Sequence, residues 1–276
     1  MGYEDLLVYS ATTRGLPAHV RYAARLAGRY GARLTGAFVQ SPVDPMAFDD
    51  DAELLAGIGR RHAARLAQAR TLEASFAALC GEAGVSAYEW RVAEGDPVTV
   101  LALLGAVHSL LVVGAGARSG SADVDALEAI VLGAGLPCLV VPDVSVDDEP
   151  RYRRVAVAWN GSIESWRALH AALPLLADAE HVVLLKGGQR LYRTVPVPPA
   201  LDVDAWLARH VRGAESIALA ADDAHAGGAL LEAASLRRAD LLVLGAYGHS
   251  RMREWLLGGA SRDVLHHLHI PVLMRH

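Results

Sequence analysis

The sequence of 276 residues contains a single lysine, Lys186, and the residue after it is Gly187. A P-loop needs a glycine-rich run that ends in Gly-Lys-Ser or Gly-Lys-Thr, so this phosphate-binding loop is excluded. The kinase motifs His-Arg-Asp and Asp-Phe-Gly are absent, as are the GxSxG, HExxH and CxxC patterns of common hydrolases, zinc proteases and thiol oxidoreductases. We therefore predict no catalytic residues and no metal ligands.

The sequence also has few cysteines and a small net charge. Only Cys80 and Cys138 occur, which excludes a disulfide-rich scaffold and favours a reducing, cytoplasmic setting. The formal net charge is −5, from 26 basic and 31 acidic residues, and no run of basic residues indicates a nucleic-acid interface. Hydrophobic residues make up 53% of the chain, which is enough core for one large domain or two of about 140 residues.

One uncharged segment, residues 97–117, has about the length needed to cross a bilayer. It divides into a helix-like part over 98–107 and a β-like part over 110–114, so we predict a buried unit of a helix over 97–108 and a strand over 110–114, and no membrane span. The helix carries no charge on any face. We therefore expect its outer face to contact either the long predicted helix over 51–83 or a second copy of the chain.

The two halves of the chain repeat each other. The run 110–116 resembles the run 241–248, and the run 135–141 resembles the run 269–274. Each half alternates β-like runs with helical patterns, which is typical of a parallel sheet with helices on both faces. The repeat predicts two similar domains in tandem.

We therefore predict an α/β, Rossmann-like fold with two open parallel sheets of five strands each, in domains 1–145 and 151–276. Val, Leu and Ile dominate the strands without alternation, as in strands buried on both faces. The predicted strands lie at residues 5–10, 33–40, 86–93, 110–114, 137–141, 154–159, 181–186, 215–220, 240–245 and 270–275.

The stretch with the clearest chemistry begins at Gly245, at the end of the ninth predicted strand. Gly248 follows after two residues and Gly258 after a further nine. Glycines at the carboxyl end of a strand let the backbone approach a phosphate closely, and the N–H groups that open the next helix can bind the anion. Open α/β sheets bind ligands at that edge, so the spacing predicts a phosphate-binding loop.

This stretch resembles the Gly-x2-Gly-x9-Gly-Ser/Thr pattern of the universal stress protein family, and the resemblance covers nearly the whole chain. It implies a stress-linked regulatory or protective role, with ATP or AMP bound in the second half and Mg²⁺ accompanying ATP. It also implies a homodimer and a pairing of the last strands of the two domains, 137–141 beside 270–274. The binding residues that the resemblance implies are Asn160, Gly187, Gly245, Gly248, His249, Gly258, Gly259 and Ser261.

Two positions depart from the family's ATP-binding pattern. Gly259 stands where the pattern has Ser or Thr, and Asn160 stands where many ATP-binding members carry Asp. Asn160 has a second interpretation, as part of a turn that caps the next helix. In the first half, Ala117 and Val124 stand opposite the second and third glycines, so we expect that half to have lost the nucleotide site.

Three functions remain open after these departures. The first is a nucleotide-binding stress protein whose enzymatic activity does not exceed slow ATP hydrolysis. The second is an interaction or scaffold protein of the same fold that needs no nucleotide, which Gly259 and Asn160 favour. The third is an adenine-nucleotide α-hydrolase enzyme, which the sequence disfavours because no Ser-Gly-Gly-x-Asp-Ser loop follows the first strand of either half.

Overall fold

By its internal contacts the chain divides into two compact units. The first comprises Gly2–Gly114 with Gly133–Leu136, and the second comprises Ala115–Leu132 with Pro137–His276. The domain boundaries at 145 and 151 rest on the sequence repeat and stay a prediction. The structure is a computed structural model that describes residues 2–42, 52–115, 121–143, 150–188, 201–219, 225–246 and 259–276.

The first unit is built on four parallel strands in the order β3-β2-β1-β4. These strands are β1 (Asp5–Ser10), β2 (Arg33–Gln40), β3 (Tyr88–Glu94) and β4 (Leu110–Gly114). Its helices are α1 (Ala18–Tyr30), α2 (Ala52–Glu82) and α3 (Pro97–Gly105). Leu6, Leu7 and Val8 of β1 are fully buried, as expected for a central strand that is covered on both faces.

The second unit has six strands in the order β5-β10-β9-β6-β7-β8. They are β5 (Cys138–Val141), β6 (Arg154–Trp159), β7 (His181–Lys186), β8 (Ala214–Ala218), β9 (Leu241–Gly245) and β10 (Val272–Arg275). The remaining helices are α4 (Ser121–Gly133), α5 (Ile163–Leu176), α6 (Val203–His210), α7 (Ala226–Leu236) and α8 (Gly259–His266). Neighbouring strands from β10 to β8 are parallel, and β5 is antiparallel to β10.

The predicted α/β class, with a mostly parallel sheet between helices, is confirmed. The strands divide four and six between the compact units, and not five and five, because β5 pairs with β10. Cys138, Leu139 and Val140 face Met274, Leu273 and Val272, and all six side chains are fully buried. The predicted pairing of the last strands, β5 with β10, is therefore present. It gives each of the two strands a hydrogen-bonded neighbour.

Helices α4 and α8 are joined by charged side chains in the same unit. Arg262 of α8 donates to the carboxylates of Glu128 and Asp125 of α4, with N–O distances of 2.7 Å to each. The Glu128 side chain is 5% exposed, and its Oε1 has no hydrogen-bond partner among the residues that the structure describes. Arg262 therefore supplies the compensating charge for a buried carboxylate.

Helix α3 begins where the sequence predicts, because the Asp96 carboxylate accepts a hydrogen bond from the backbone N–H of Thr99 at 2.8 Å. Leu101 is fully buried, whereas Leu103 and Val107 are 72% and 73% exposed. Among the described residues the outer face of α3 is thus open, so the long helix α2 does not cover Leu103 or Val107 as one alternative expected, and contact with a second copy stays a prediction. In the described parts of the chain no helix is both long and apolar enough to span a bilayer.

Candidate functional site

The carboxyl ends of β6, β7 and β9 meet at one edge of the second unit. Strand β6 lies between β7 and β9. The chain therefore forms β7 on one side of β6 and later forms β9 on the other side, which reverses the direction of the strand order. Asn160, Gly187 and Gly245 stand at the ends of these three strands, and the Gly187 N–H donates to the Trp159 carbonyl at 2.8 Å. Such a reversal of strand order opens a crevice that binds ligands in open α/β sheets.

Asn160 takes part in the turn that leads into α5. Its Oδ1 accepts from the Ser162 N–H at 3.1 Å, and the Ser162 hydroxyl accepts from the Ser165 N–H at 3.1 Å, which caps the helix. The interpretation of Asn160 as a turn residue is therefore correct for its oxygen. Asn160 is exposed at the end of β6, and its amide nitrogen makes no hydrogen bond within the described part of the chain.

Gly245 is required by the packing of α5 against β9. A Cβ at this position would lie 2.5 Å from the Ser165 nitrogen and 2.6 Å from the Glu164 carbonyl carbon. Ser165 and Glu164 are both buried in the first turn of α5. The glycine therefore brings the N-terminus of α5 against the strand end, which is a structural reason for Gly245 besides any contact with a phosphate.

Of the other predicted binding residues, the structure describes Gly259 and Ser261. Gly259 is the first residue of α8, and Ser261 is buried in its first turn. Gly248, His249 and Gly258 lie outside the described residues. The described structure therefore places Asn160, Gly187 and Gly245 at the carboxyl ends of neighbouring strands. It places Gly259 and Ser261 at the N-terminus of α8.

Lys186 is the last residue of β7 and precedes Gly187, one of the predicted binding residues. Its Nζ donates to the carboxylate of Asp204 in α6, and the same carboxylate accepts from the Ser216 hydroxyl. The pKa of the Asp204 carboxyl is lowered, mainly by the hydrogen bond that it accepts from Lys186. The one lysine of the chain is therefore paired with a neighbouring helix.

The sequence analysis missed an aromatic cluster next to this edge. The rings of Trp159 and Trp166 pack edge to face, with 4.6 Å between their centroids, and the centroids of Trp166 and Trp206 are 5.5 Å apart. Trp206 also contacts His170 at 4.7 Å and stacks on His210 at 4.2 Å. The i,i+4 spacing of Trp166 with His170 and of Trp206 with His210 on predicted helices was a signal for this cluster.

The matching edge of the first unit is filled by its own side chains. A Cβ at Gly114, the end of β4, would lie 2.2 Å from Nδ1 of His19, so the His19 ring covers this strand end. The Nε2 of His19 lies 2.9 Å from the Tyr9 carbonyl oxygen. Thr13, in the loop after β1, is buried and donates to the Gln68 side chain at 3.0 Å. These contacts account for Gly114 and Thr13 by packing inside the first unit, and the loss of a nucleotide site there stays a prediction.

The two cysteines are buried core residues. Burial raises the pKa of the Cys80 thiol to about 11 and that of Cys138 to about 12. Both side chains remain protonated at neutral pH, so neither supplies the thiolate that nucleophilic or redox chemistry requires.

Taken by itself, the second unit is a Rossmann-like sheet whose strand order reverses at β6. Residues 151–276 match the model of the universal stress protein family. The second half of the chain is therefore a universal stress protein domain, which confirms the predicted family for residues 151–276. No curated protein matches the chain at a significant level.

Solved structures extend this likeness in fold to the first half. A universal stress protein from Archaeoglobus fulgidus DSM 4304 matches 98% of this chain and 95% of its own, with a TM-score of 0.69 and 17% identity. A protein of unknown function from Pseudomonas aeruginosa PAO1 matches 99% of this chain and 92% of its own, with a TM-score of 0.58 and 14% identity. At these identities the likeness concerns the fold, and it covers both halves in tandem.

Proposed function

We propose that this universal stress protein is a cytoplasmic regulatory or protective protein that binds one adenine nucleotide, ATP or AMP, in its second half. The observation that carries the proposal is the reversal of strand order at β6, where Asn160, Gly187 and Gly245 lie at the carboxyl ends of three neighbouring strands. A ligand in such a crevice meets backbone N–H groups and the positive end of a helix.

The roles of the residues follow from their positions. The exposed amide nitrogen of Asn160 donates to the nucleotide, and Gly187 gives the adenine room at the end of β7. Gly245, Gly248, Gly258 and Gly259 allow the backbone to approach the phosphates, while His249 and Ser261 contribute side-chain donors. Mg²⁺ accompanies ATP and compensates the charge of its phosphates.

Binding, and not turnover, is the proposed activity. Asn160 stands where a carboxylate would otherwise lie, and an amide neither removes a proton from water nor binds Mg²⁺ with a full charge. The same substitution leaves a hydrogen-bond donor in place, so it is compatible with nucleotide recognition. ATP hydrolysis, where it occurs, is therefore expected to be slow.

The replacement Asn160→Ala tests the site. Saturating ATP is expected to raise the melting temperature of the natural chain, because a ligand that binds only the folded state stabilises it. In the variant, ATP affinity is expected to fall about fivefold, since one hydrogen bond of about 1 kcal/mol is lost. Thermal melting and tryptophan fluorescence measure this, because Trp159 and Trp166 lie beside the crevice.

Thr12→Ala is the matched control for that variant. The Thr12 hydroxyl accepts from the Arg14 N–H at 3.1 Å, which repeats in the first half the bond between Asn160 and Ser162. This variant loses a similar turn bond but is expected to keep its full ATP response. Equal losses in the two variants, or no response of the natural chain to ATP or AMP, would contradict the proposal and favour a nucleotide-independent scaffold protein.

A scaffold role has an observation of its own, the open apolar face of α3. We propose that two chains form a homodimer through this face, which includes Leu103 and Val107. Leu103→Glu is expected to convert the dimer to a monomer in light scattering. Leu236→Glu is the control, because Leu236 of α7 is equally exposed, at 76%. A natural chain that is already monomeric at micromolar concentration would refute the dimer.

A further inference from the structure

A polar cluster lies at the carboxyl edge of the first unit, apart from the proposed nucleotide site. Gln40 is the last residue of β2, Glu94 is the last residue of β3, and the two are register partners. Register partners on neighbouring parallel strands extend their side chains to the same face of the sheet. His62 of α2 packs at this face, with its Nε2 3.2 Å from Oε1 of Glu94.

Several polar atoms of this cluster are buried without a partner. Oε1 of Gln40 and both ring nitrogens of His62 have no hydrogen-bond partner in the described residues, and the His62 side chain is only 12% exposed. A buried polar atom left unmatched costs about 1–3 kcal/mol. Native proteins generally satisfy such atoms, so their concentration at one place indicates a bound water or ion.

The distance between His62 and Glu94 favours an ion. At 3.2 Å the two atoms are near each other, yet their geometry is not that of a hydrogen bond. Bonds from Zn²⁺ to an imidazole nitrogen or a carboxylate oxygen are about 2.1 Å long, so two such ligands at 90–110° lie about 3.0–3.4 Å apart. The observed separation falls within that span.

We propose that the first unit binds a divalent transition-metal ion, Zn²⁺ or a first-row neighbour, between Nε2 of His62 and the carboxylate of Glu94. Because Gln40 is the register partner of Glu94 and its buried Oε1 has no hydrogen-bond partner in the described residues, we assign this oxygen as the third protein donor. An imidazole ligand favours these metals over Mg²⁺ and Ca²⁺, which prefer oxygen. Because one of the three donors is a neutral amide, we expect an exchangeable ion and not a permanent structural one.

The composition of the site agrees with that expectation. In the described parts of the chain no group of three His, Cys, Asp or Glu side chains is placed to hold a metal, so water must complete the coordination. Glu94 is 48% exposed, which gives the ion a path from solvent. The first half, whose glycine motif is incomplete, would thereby respond to a metal while the second half responds to a nucleotide.

Zinc binding to the full chain tests the site. Micromolar ZnCl₂ is expected to raise the melting temperature of the natural chain, and MgCl₂ at the same concentration is not. Zinc affinity by calorimetry should fall at least tenfold in His62→Ala and in Glu94→Gln, because each removes one ligand. Glu94→Gln keeps the shape of a half-exposed side chain, so its result does not depend on how well His62→Ala folds.

The matched control is His267→Ala. His267 and Asp263 form another histidine–carboxylate pair, with 2.9 Å between Nδ1 and Oδ1, but His267 is 69% exposed. This variant is expected to retain the high-affinity zinc site, and crystals with zinc should show an anomalous peak between His62 and Glu94. Unchanged zinc affinity in Glu94→Gln, or a peak only elsewhere, would overturn the proposal and assign the buried atoms to water.

Discussion

Replacing Gly245 by alanine is expected to lower the free energy of unfolding by about 3 kcal/mol, the upper end of the usual cost of overpacking. The added methyl group would lie 2.5 Å from the backbone nitrogen of Ser165. A backbone atom cannot rotate away, so α5 must shift from the strand. The Ser162 cap and Asn160 precede this helix, so ATP affinity is expected to fall in the same variant.

Gly187→Ala is the control for Gly245→Ala. A Cβ at Gly187 would have the Trp159 carbonyl oxygen at 3.8 Å as its nearest neighbour, which is an ordinary contact. Its free energy of unfolding should stay within about 0.5 kcal/mol of that of the natural chain. Urea unfolding of both variants checks the difference, and equal stabilities would show that α5 does not pack on β9 as described.

The second large effect is expected for Arg262→Ala. This change leaves the buried carboxylate of Glu128 and the carboxylate of Asp125 without their shared cation. Removal of one partner from a buried ion pair typically costs about 3–5 kcal/mol, and Arg262 is 27% exposed, so we expect about 3 kcal/mol. Thermal and urea unfolding measure the loss.

Two further variants separate a lost charge pair from lost packing. Arg237→Ala breaks an exposed pair with Glu215, which should cost less than about 1 kcal/mol. Adding Glu128→Gln to Arg262→Ala is expected to restore part of the stability, because the uncompensated charge is then gone. If the double variant is no more stable than Arg262→Ala, the buried charge is not the cause.

Local patterns were sufficient to predict most of the fold. The strands β1, β4, β6 and β7 have the predicted bounds, because each is a short apolar run between charged or turn residues. Helix α3 ends at Gly105, three residues before the predicted end, and the His108 ring then bonds the Leu104 carbonyl and the Thr35 hydroxyl. The contact with Thr35 is distant in the sequence, so periodicity alone does not reveal it.

The candidate site was predictable where it depends on strand ends and glycines. The spacing that begins at Gly245 correctly placed this glycine at the end of a strand, but the packing of Gly245 on Ser165 required the structure. The distance from His62 to Glu94 also required it, because the two residues are 32 positions apart, on α2 and β3, and no short motif joins them. The His19 ring over Gly114 is a third example, in which one side chain fills a space that the repeat leaves open.

The central claim is that the chain has one adenine-nucleotide site and that it lies in the second half. The most direct test is isothermal titration calorimetry of the full chain with ATP and with AMP, which gives the number of sites. The account predicts one nucleotide per chain, with affinity reduced in Asn160→Ala and unchanged in Thr12→Ala. Two nucleotides per chain, or none, would contradict it.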